Sequence, residues 1–259
     1  MTPWHILEFE EAVERGLQEI TQKHFPLDWK EDVLTHRLAI CFRDTFREIT
    51  LHGTRHPLDL EFEVYKLHGH RETSHGDIGV LIRWKLPAGT VIEGAGFLEA
   101  KLRARDSTRF MQVRHQQVSR LLSRSRYTHL LLYDYNPITI LDSRGDPYPD
   151  EEFLLRRWRP HQRYARVTHG AVLPLPLAAA INQYDDSLYR FCHSLAHQFS
   201  RRYFYLHDLD FRDRAVKAVK GFPEDVGSPN IVLVVRAAVQ GHELPERVRP
   251  NSNLYAPLE

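Results

Sequence analysis

Two extended apolar segments joined by a short turn constrain the fold of this chain more than any other feature. The segments cover residues 77–84 and 91–102, and residues 86–90 between them read Leu-Pro-Ala-Gly-Thr. Proline and glycine in a short connection between strand-like runs predict an antiparallel hairpin. If the hairpin turns symmetrically about Ala88, position 77 lies opposite position 99, because both are eleven residues from the turn.

Helical and extended patterns alternate around this hairpin. Apolar residues recur at helical spacing before and after the strand-like segments, and a short, nearly continuous apolar run follows the last helix. A helix between two strands implies a crossover connection, and three strands in succession suggest an antiparallel meander. We therefore predict an α/β fold with a mixed sheet and an α-β-β-β-α-β order. The predicted elements are helices at residues 6–23, 29–49 and 108–126 and strands at residues 58–67, 77–84, 91–102 and 128–135.

The second half of the chain has a weaker pattern. It contains an arginine-rich segment at 156–166, a helix-like stretch at 177–205 and a strand candidate at 230–239. We divide the chain into a core at residues 1–150 and an α+β C-terminal extension at residues 151–259. The extension is expected to recognise substrate or a protein partner.

Composition excludes several functional classes. Hydrophobic residues make up 42% of 259 residues, enough for a substantial core, and the net charge of +1 excludes a uniformly basic coat. The longest aliphatic run, residues 231–235, is far shorter than the roughly 20 residues of a membrane span. The N-terminus lacks the layout of a signal peptide. We expect a cytoplasmic protein without a membrane segment.

Three charged residues meet at one end of the predicted hairpin. Glu99 and Lys101 are two residues apart on a strand and so share a face, and Asp77 is predicted opposite Glu99. Two close carboxylates repel unless a cation lies between them, and hard oxygen ligands suit Mg²⁺, with Mn²⁺ as an alternative. A neighbouring lysine can stabilise charge on an attacked phosphate. The pattern predicts phosphodiester hydrolysis; an ordinary surface ion pair beside a strand-capping aspartate is the alternative.

These residues, within the predicted α-β-β-β-α-β order, resemble the PD-(D/E)xK nuclease superfamily with its restriction-endonuclease-like fold. The resemblance implies that Asp77 and Glu99 are metal ligands and that the carbonyl of Ala100 is a third. It also implies that Lys101 positions or activates the attacking water. Gly76 stands where the superfamily's name places a proline.

The resemblance also suggests an acid on the first core helix and a polar residue on the crossover helix. Glu31 is the candidate for the acid, as a further metal ligand, although Asp28 and Glu31 also have the spacing of a helix capping box. Gln112 and Gln116 stand four apart on one helix face, and Gln116 is the stronger catalytic candidate. Both glutamines could equally be exposed helix formers.

Arginines are concentrated next to the predicted site. Residues 101–126 contain eight Lys or Arg and one acid, Asp106, and a second arginine cluster lies at 156–166. Such a local excess fits a groove that neutralises phosphates, although a solvated surface would explain any single arginine. The predicted nucleic-acid contacts are Arg103, Arg105, Arg109, Arg114, Arg120, Arg157 and Arg159.

Together these features predict a Mg²⁺-dependent endonuclease. DNA is the expected substrate, and host defence or mobile-element processing the expected setting, both on the resemblance alone. A homodimer would suit cleavage of two strands. A non-catalytic nucleic-acid-binding or protein-binding module that keeps the fold is the alternative. A zinc hydrolase built on His193 and His197, four apart, is a third reading, and His75 is a further residue that could touch substrate.

Overall fold

The computed structural model describes residues 1–54, 56–68, 75–111, 113, 115–143, 163–181, 183–222 and 227–258. The helices are α1 (Ile6–His24), α2 (Glu31–Phe46), α3 (His115–Arg124), α4 (Leu175–Ile181) and α5 (Asp213–Val219). The strands are β1 (Thr2–His5), β2 (Glu48–His52), β3 (Leu58–Leu67), β4 (Ile78–Lys85), β5 (Val91–Leu102), β6 (Thr128–Ser143), β7 (Arg163–Pro174), β8 (His193–Ser194), β9 (Ile231–Val239) and β10 (Tyr255–Pro257).

The described strands form one mixed sheet in the order β1-β2-β3-β9-β4-β5-β6-β7-β8, with β10 paired to β3. The pairs β1–β2, β4–β9 and β5–β6 are parallel, and the other pairs are antiparallel. The predicted α/β class with a mixed sheet is therefore confirmed.

The hairpin of β4 and β5 follows the predicted register. Its ladder runs from the pair Ile78–Leu98 to the pair Lys85–Val91, so it is centred on Ala88. Strand β6 lies parallel to β5, and α3 connects the two as the predicted crossover.

The predicted meander is wrong at its first step, because β9 lies between β3 and β4. Strand β9 is antiparallel to β3 and parallel to β4. Its sequence is almost uninterruptedly apolar and its residues are buried from Ile231 to Ala238, as expected of a central strand covered on both faces. The division at residue 150 therefore does not mark a boundary within the sheet.

Three predicted helices also have different bounds. The helix predicted at 29–49 is α2 followed by β2, and the helix predicted at 108–126 begins only at His115. The stretch 177–205 is not one helix: after α4, a 3-10 helix starts behind Asp185, whose carboxylate accepts the N–H of Ser187. Residues 195–205 then form a short irregular helical segment.

Helices cover both faces of the sheet. Along β4, Val80 and Ile82 pack in the main cluster with α1 and α2, whereas Leu81 packs with α5 on the opposite face. A third cluster joins α3 and α4 to β6 and β7. Within the described part of the chain, no helix is long and apolar enough to cross a membrane.

Candidate active site

The open end of the β4–β5 hairpin places the predicted acids next to each other. Asp77 and Glu99 each lie one residue beyond the last ladder pair, Ile78–Leu98. The N–H of Asp77 donates to the carbonyl of Leu98 (2.9 Å), and the N–H of Ala100 donates to Oδ2 of Asp77 (2.8 Å). The Asp77 carboxylate thus accepts a β5 amide at the end of the strand, which fixes its position.

Gly76 is required for this arrangement. Its φ is +90°, and a Cβ built there would lie 2.8 Å from the carbonyl oxygen of Leu98. Proline fixes φ near −65°, so it could not adopt this conformation. The backbone geometry therefore explains why glycine occupies the position at which the superfamily's name has proline.

Lys101 lies between two carboxylates. Its Nζ donates to Oε1 of Glu99 (2.8 Å) and to Oε2 of Glu31 (3.2 Å). Glu99 and Lys101 are almost fully buried, with 4% and 3% of their surfaces exposed. Charged side chains are rarely buried unless paired, so this pair is not an ordinary surface ion pair.

The start of helix α2 brings Glu31 to the cluster. The N-cap is Lys30, without a side-chain cap hydrogen bond, so the capping-box alternative for Asp28 and Glu31 is not observed. Just before the helix, the indole N–H of Trp29 donates to the carbonyl of Arg103 (2.9 Å), directly after β5. This bond ties the beginning of α2 to the end of the strand that carries Glu99 and Lys101.

Burial and mutual repulsion shift the ionisation of the three acids. Burial, and then the negative charge of Asp77, raises the pKa of Glu99 to about 7 despite the nearby Lys101. Burial is also the main reason that the pKa values of Asp77 and Glu31 are raised. Burial alone would lower the pKa of Lys101, but the carboxylates of Glu99 and Glu31 outweigh it and raise that pKa. The cluster holds more negative charge than its one lysine neutralises.

The carboxylate oxygens of the cluster are the type of ligand that a hard divalent cation prefers. The carboxylates of Asp77 and Glu99 are oxygen ligands of the type that Mg²⁺ prefers. Within the described residues, no three His, Cys, Asp or Glu side chains converge as a ready metal cluster, and Glu31 is turned to Lys101. A Mg²⁺ ion commonly binds through one or two carboxylates and keeps several waters, so two are sufficient.

The crossover helix contributes Gln117 rather than Gln116. The Nε2 of Gln117 donates to Oε1 of Glu99, whereas Gln116 is exposed to solvent. The helix turns its apolar face, with Val118 and Leu121, toward the sheet, and Gln117 shares a side of the helix with Leu121 because they are four residues apart. The prediction for Gln116 is therefore corrected by one residue, and Gln112 lies outside the described residues.

The predicted arginines have different surroundings. Arg103 binds the buried carboxylate of Asp134 (2.8 Å) and the carbonyl of Ser107 (2.7 Å), so its guanidinium supports the fold. The others that the structure describes are exposed: Arg105, Arg109 and Arg120. The remaining three lie outside the described residues: Arg114, Arg157 and Arg159.

The three histidines that the sequence suggested have defined surroundings. His75 is buried, and its Nδ1 lies 2.8 Å from the carbonyl of Gly227, which links the segment before Asp77 to the segment before β9. The rings of His193 and His197 stack with centroids 4.9 Å apart. No metal-binding cluster includes them among the residues with described positions, so the zinc reading gains no support.

Two residues near the acids were not predicted. Asn230, directly before β9, places Nδ2 3.4 Å from Oδ1 of Asp77. Tyr133 on β6 is fully buried, and burial, together with the charges of Asp77 and Glu31, raises the pKa of its hydroxyl. Asn230 could be found only from the pairing of β9 with β4. The apolar run 128–135 predicts burial of Tyr133 but not its neighbours.

Comparison with known proteins adds no family assignment. No protein-family model matches the chain, and neither the curated proteins nor the solved structures yield a match.

Proposed function

We propose that this protein is a metal-dependent phosphodiester hydrolase, an endonuclease with a restriction-endonuclease-like core. The observation that supports it most is the buried cluster at the end of the β4–β5 hairpin. The carboxylates of Glu99 and Glu31 contact the ammonium of Lys101 there. Burial, and then the negative charge of Asp77, raises the pKa of Glu99 to about 7. Acidic residues whose pKa values are shifted by burial and by charged neighbours are typical of functional sites.

In this proposal Asp77 and Glu99 hold a Mg²⁺ ion, with Mn²⁺ as a substitute. The carbonyl of Ala100 is the third ligand that the resemblance implies. When bound, the cation supplies Lewis-acid stabilisation of the negative charge on the attacked phosphate.

Lys101 supplies the second positive charge. Its ammonium has three N–H donors, of which two are directed at Glu99 and Glu31. No described residue accepts the third donor, which we assign to a phosphate oxygen or to the attacking water. Glu31 holds the ammonium from the side of α2, and Gln117 orients the Glu99 carboxylate from the side of α3.

The finer parts of the proposal rest on the resemblance. DNA is the proposed substrate, acted on in the cytoplasm in host defence or mobile-element processing. A homodimer would place two sites on the two strands of a duplex. The residues after position 150 are proposed to contact substrate or a partner, in addition to supplying β9.

A cleavage assay tests the proposal. The wild-type chain and the Glu99→Ala and Lys101→Ala variants are incubated with supercoiled plasmid, linear duplex, single-stranded DNA and RNA. Each reaction contains Mg²⁺, Mn²⁺ or EDTA. We expect cleavage by the wild type with either metal, none with EDTA, and at least a hundredfold loss in both variants.

The competing function is a non-catalytic binding module that keeps the fold. The observation in its favour is that the ammonium of Lys101 bridges Glu99 and Glu31 and neutralises part of their charge. Such a module would cleave nothing, and Glu99→Ala would leave its nucleic-acid affinity unchanged in the presence and absence of metal.

A further inference from the structure

An open cleft adjoins the acidic cluster on the side of α2. It has a volume of about 400 Å³, within the roughly 300–1,000 Å³ typical of ligand pockets. Helix α2, the end of β3 and the beginning of β9 form its walls, and Asp77 is among the residues that line it. Its lining includes His36, Arg37, Lys66, Asp77 and Asn230.

The cleft is in direct contact with the proposed reaction centre. Asn230 lines the cleft and its amide approaches Oδ1 of Asp77 (3.4 Å). The backbone carbonyl of Asn230 accepts the N–H of Leu67 (2.9 Å), which fixes the cleft wall to the end of β3. A group bound in the cleft would therefore lie next to the carboxylate that is proposed to hold the cation.

The lining of the cleft includes basic side chains. Lys66 and Arg37 are exposed, and neither makes an ion pair with a residue that the structure describes. Burial lowers the pKa of His36, and the positive charges of Lys66, Arg37 and Arg43 lower it further. Asp32 is the one exposed acid in the lining. Two long basic side chains without an ion-pair partner among the described residues therefore line the cleft, where they can bind phosphates.

We propose that this cleft binds the sugar-phosphate backbone of the strand being cut, with Lys66 and Arg37 on the phosphates next to the scissile one. The proposal rests on the proposed function and deepens it. The sequence predicted that the arginines after β5 make the main contact with the substrate. In the present proposal, residues of α2, β3 and β9 make it instead. In this proposal the bound strand meets Asp77 beside Asn230.

Binding measurements with full-length chains test the cleft separately from catalysis. Fluorescence anisotropy follows labelled DNA and RNA oligonucleotides, single-stranded and duplex, in a Glu99→Ala background that prevents cleavage. We expect Lys66→Gln and Arg37→Gln each to weaken binding about five- to tenfold. Each should also reduce the slope of log affinity against log salt by about 0.9 for a duplex or 0.7 for a single strand.

Two control variants define the outcome. Lys217→Gln removes an exposed lysine paired to Asp213 on α5, across the sheet from α2, and should leave affinity unchanged. Arg105→Gln tests the surface that the sequence favours. Unchanged affinity and salt slope in both cleft variants, or a loss confined to Arg105→Gln, would overturn the cleft proposal.

The two proposals can fail independently. If the wild type cleaves with metal but the cleft variants keep its KM, the nuclease proposal stands and the cleft proposal is wrong. If nothing is cleaved but the cleft variants lose affinity, the cleft binds nucleic acid and the hydrolytic proposal is wrong. The DNA and RNA oligonucleotides show which sugar the cleft accepts. Both cleft residues are exposed, so their substitution should leave thermal stability unchanged.

Discussion

At the level of single residues, the ionisation of Glu99 determines what the cluster can do. With a pKa of about 7, its carboxyl group is only partly ionised at neutral pH when no cation is bound. A divalent cation would favour the ionised form, because an opposite charge nearby lowers the pKa of an acid. The same residue therefore links protons, metal and stability.

The first prediction concerns stability against pH, measured by denaturant unfolding in a chelator. The folded-state pKa of Glu99 lies above its ordinary value of 4.5, so the folded chain holds the extra proton between pH 4.5 and about 7. The contribution of Glu99 to the free energy of unfolding of the wild type should therefore fall as pH rises through this interval. The Glu99→Gln variant has no carboxyl group at this position, so it does not lose stability in this way as pH rises. Its stability relative to the wild type should increase by roughly 1–3 kcal/mol between about pH 4 and pH 8.

Glu93→Gln is the control, because it should show the opposite trend. Glu93 lies on the same strand and pairs with Arg83 (2.6 Å) and Lys220 (2.7 Å). Burial opposes ionisation, but these partners outweigh it and hold the pKa of Glu93 below its ordinary value. The cost of Glu93→Gln should therefore be largest at neutral pH and shrink as pH falls through the pKa of Glu93. Parallel pH profiles for the two variants would contradict the assignment.

The second prediction separates neighbouring glutamines. Gln117→Leu removes the amide that donates to Glu99, and a hydrogen bond to a charged group contributes about 1.5 kcal/mol or more. We expect about a tenfold or larger loss of single-turnover cleavage rate. Gln116→Leu changes an exposed side chain and should have little effect. Equal rates for Gln117→Leu and the wild type would remove Gln117 from the site.

Residue-scale prediction from the sequence worked where short-range geometry decides the outcome. Hairpin symmetry alone placed Asp77 beside Glu99, and strand alternation paired Glu99 with Lys101. The prediction of Gln116 missed Gln117, because the residue that faces Glu99 depends on where α3 begins and how the helix is rotated against the sheet. The placement of Gln117 with Leu121 on the apolar face was the available signal.

At the level of elements, the conformation before β4 positions the first acid. Gly76 has a positive φ and no room for a side chain against the carbonyl of Leu98. Gly76→Ala should therefore strain the backbone, at a cost of about 1–3 kcal/mol, and shift Asp77 from its bond to Ala100. The midpoint temperature of thermal unfolding measures the strain, and the cleavage rate measures the shift of Asp77. Both quantities should decrease.

Gly89→Ala is the matched control for this third prediction. Gly89 in the hairpin turn also has a positive φ, of +87°, but nothing lies within 4 Å of a built Cβ. Its substitution should lower stability by backbone strain while leaving the cleavage rate unchanged. If Gly76→Ala retained full activity, the conformation of Gly76 would not be what positions Asp77.

The sequence predicts elements well where a pattern is regular and bounded by turns. The strands at 58–67 and 91–102 match their observed bounds. The stretch 177–205 was predicted wrongly because helical periodicity continues across Asp185, whose side chain caps a new 3-10 helix instead. Local hydrogen bonds of this kind compete with helix continuation and leave no clear mark in apolar spacing.

At the level of the whole molecule, β9 joins the two halves of the sequence. It pairs with β3 on one side and with β4 on the other, and Asn230 before it approaches Asp77. The sequence indicates a strand at 230–239, but local periodicity cannot show which strands it separates. The inserted position of β9, and with it the cleft, therefore could not be predicted from the sequence.

The fourth prediction follows from this topology. A chain truncated to residues 1–150 loses β9, so β3 and β4 lose a shared neighbour in the middle of the sheet. We expect no cooperative thermal transition by circular dichroism from the fragment, in contrast to the full chain. A cooperative transition of the fragment would show that the first half folds on its own.

Direct counting of bound metal tests the central claim, that Asp77 and Glu99 form a divalent cation site. Electron paramagnetic resonance of free Mn²⁺, titrated with protein at about pH 8, measures binding without reference to activity. We predict about one Mn²⁺ per wild-type chain, loss of that site in Glu99→Gln and its retention in Glu93→Gln. No binding by the wild type, or equal binding by Glu99→Gln, would contradict the account.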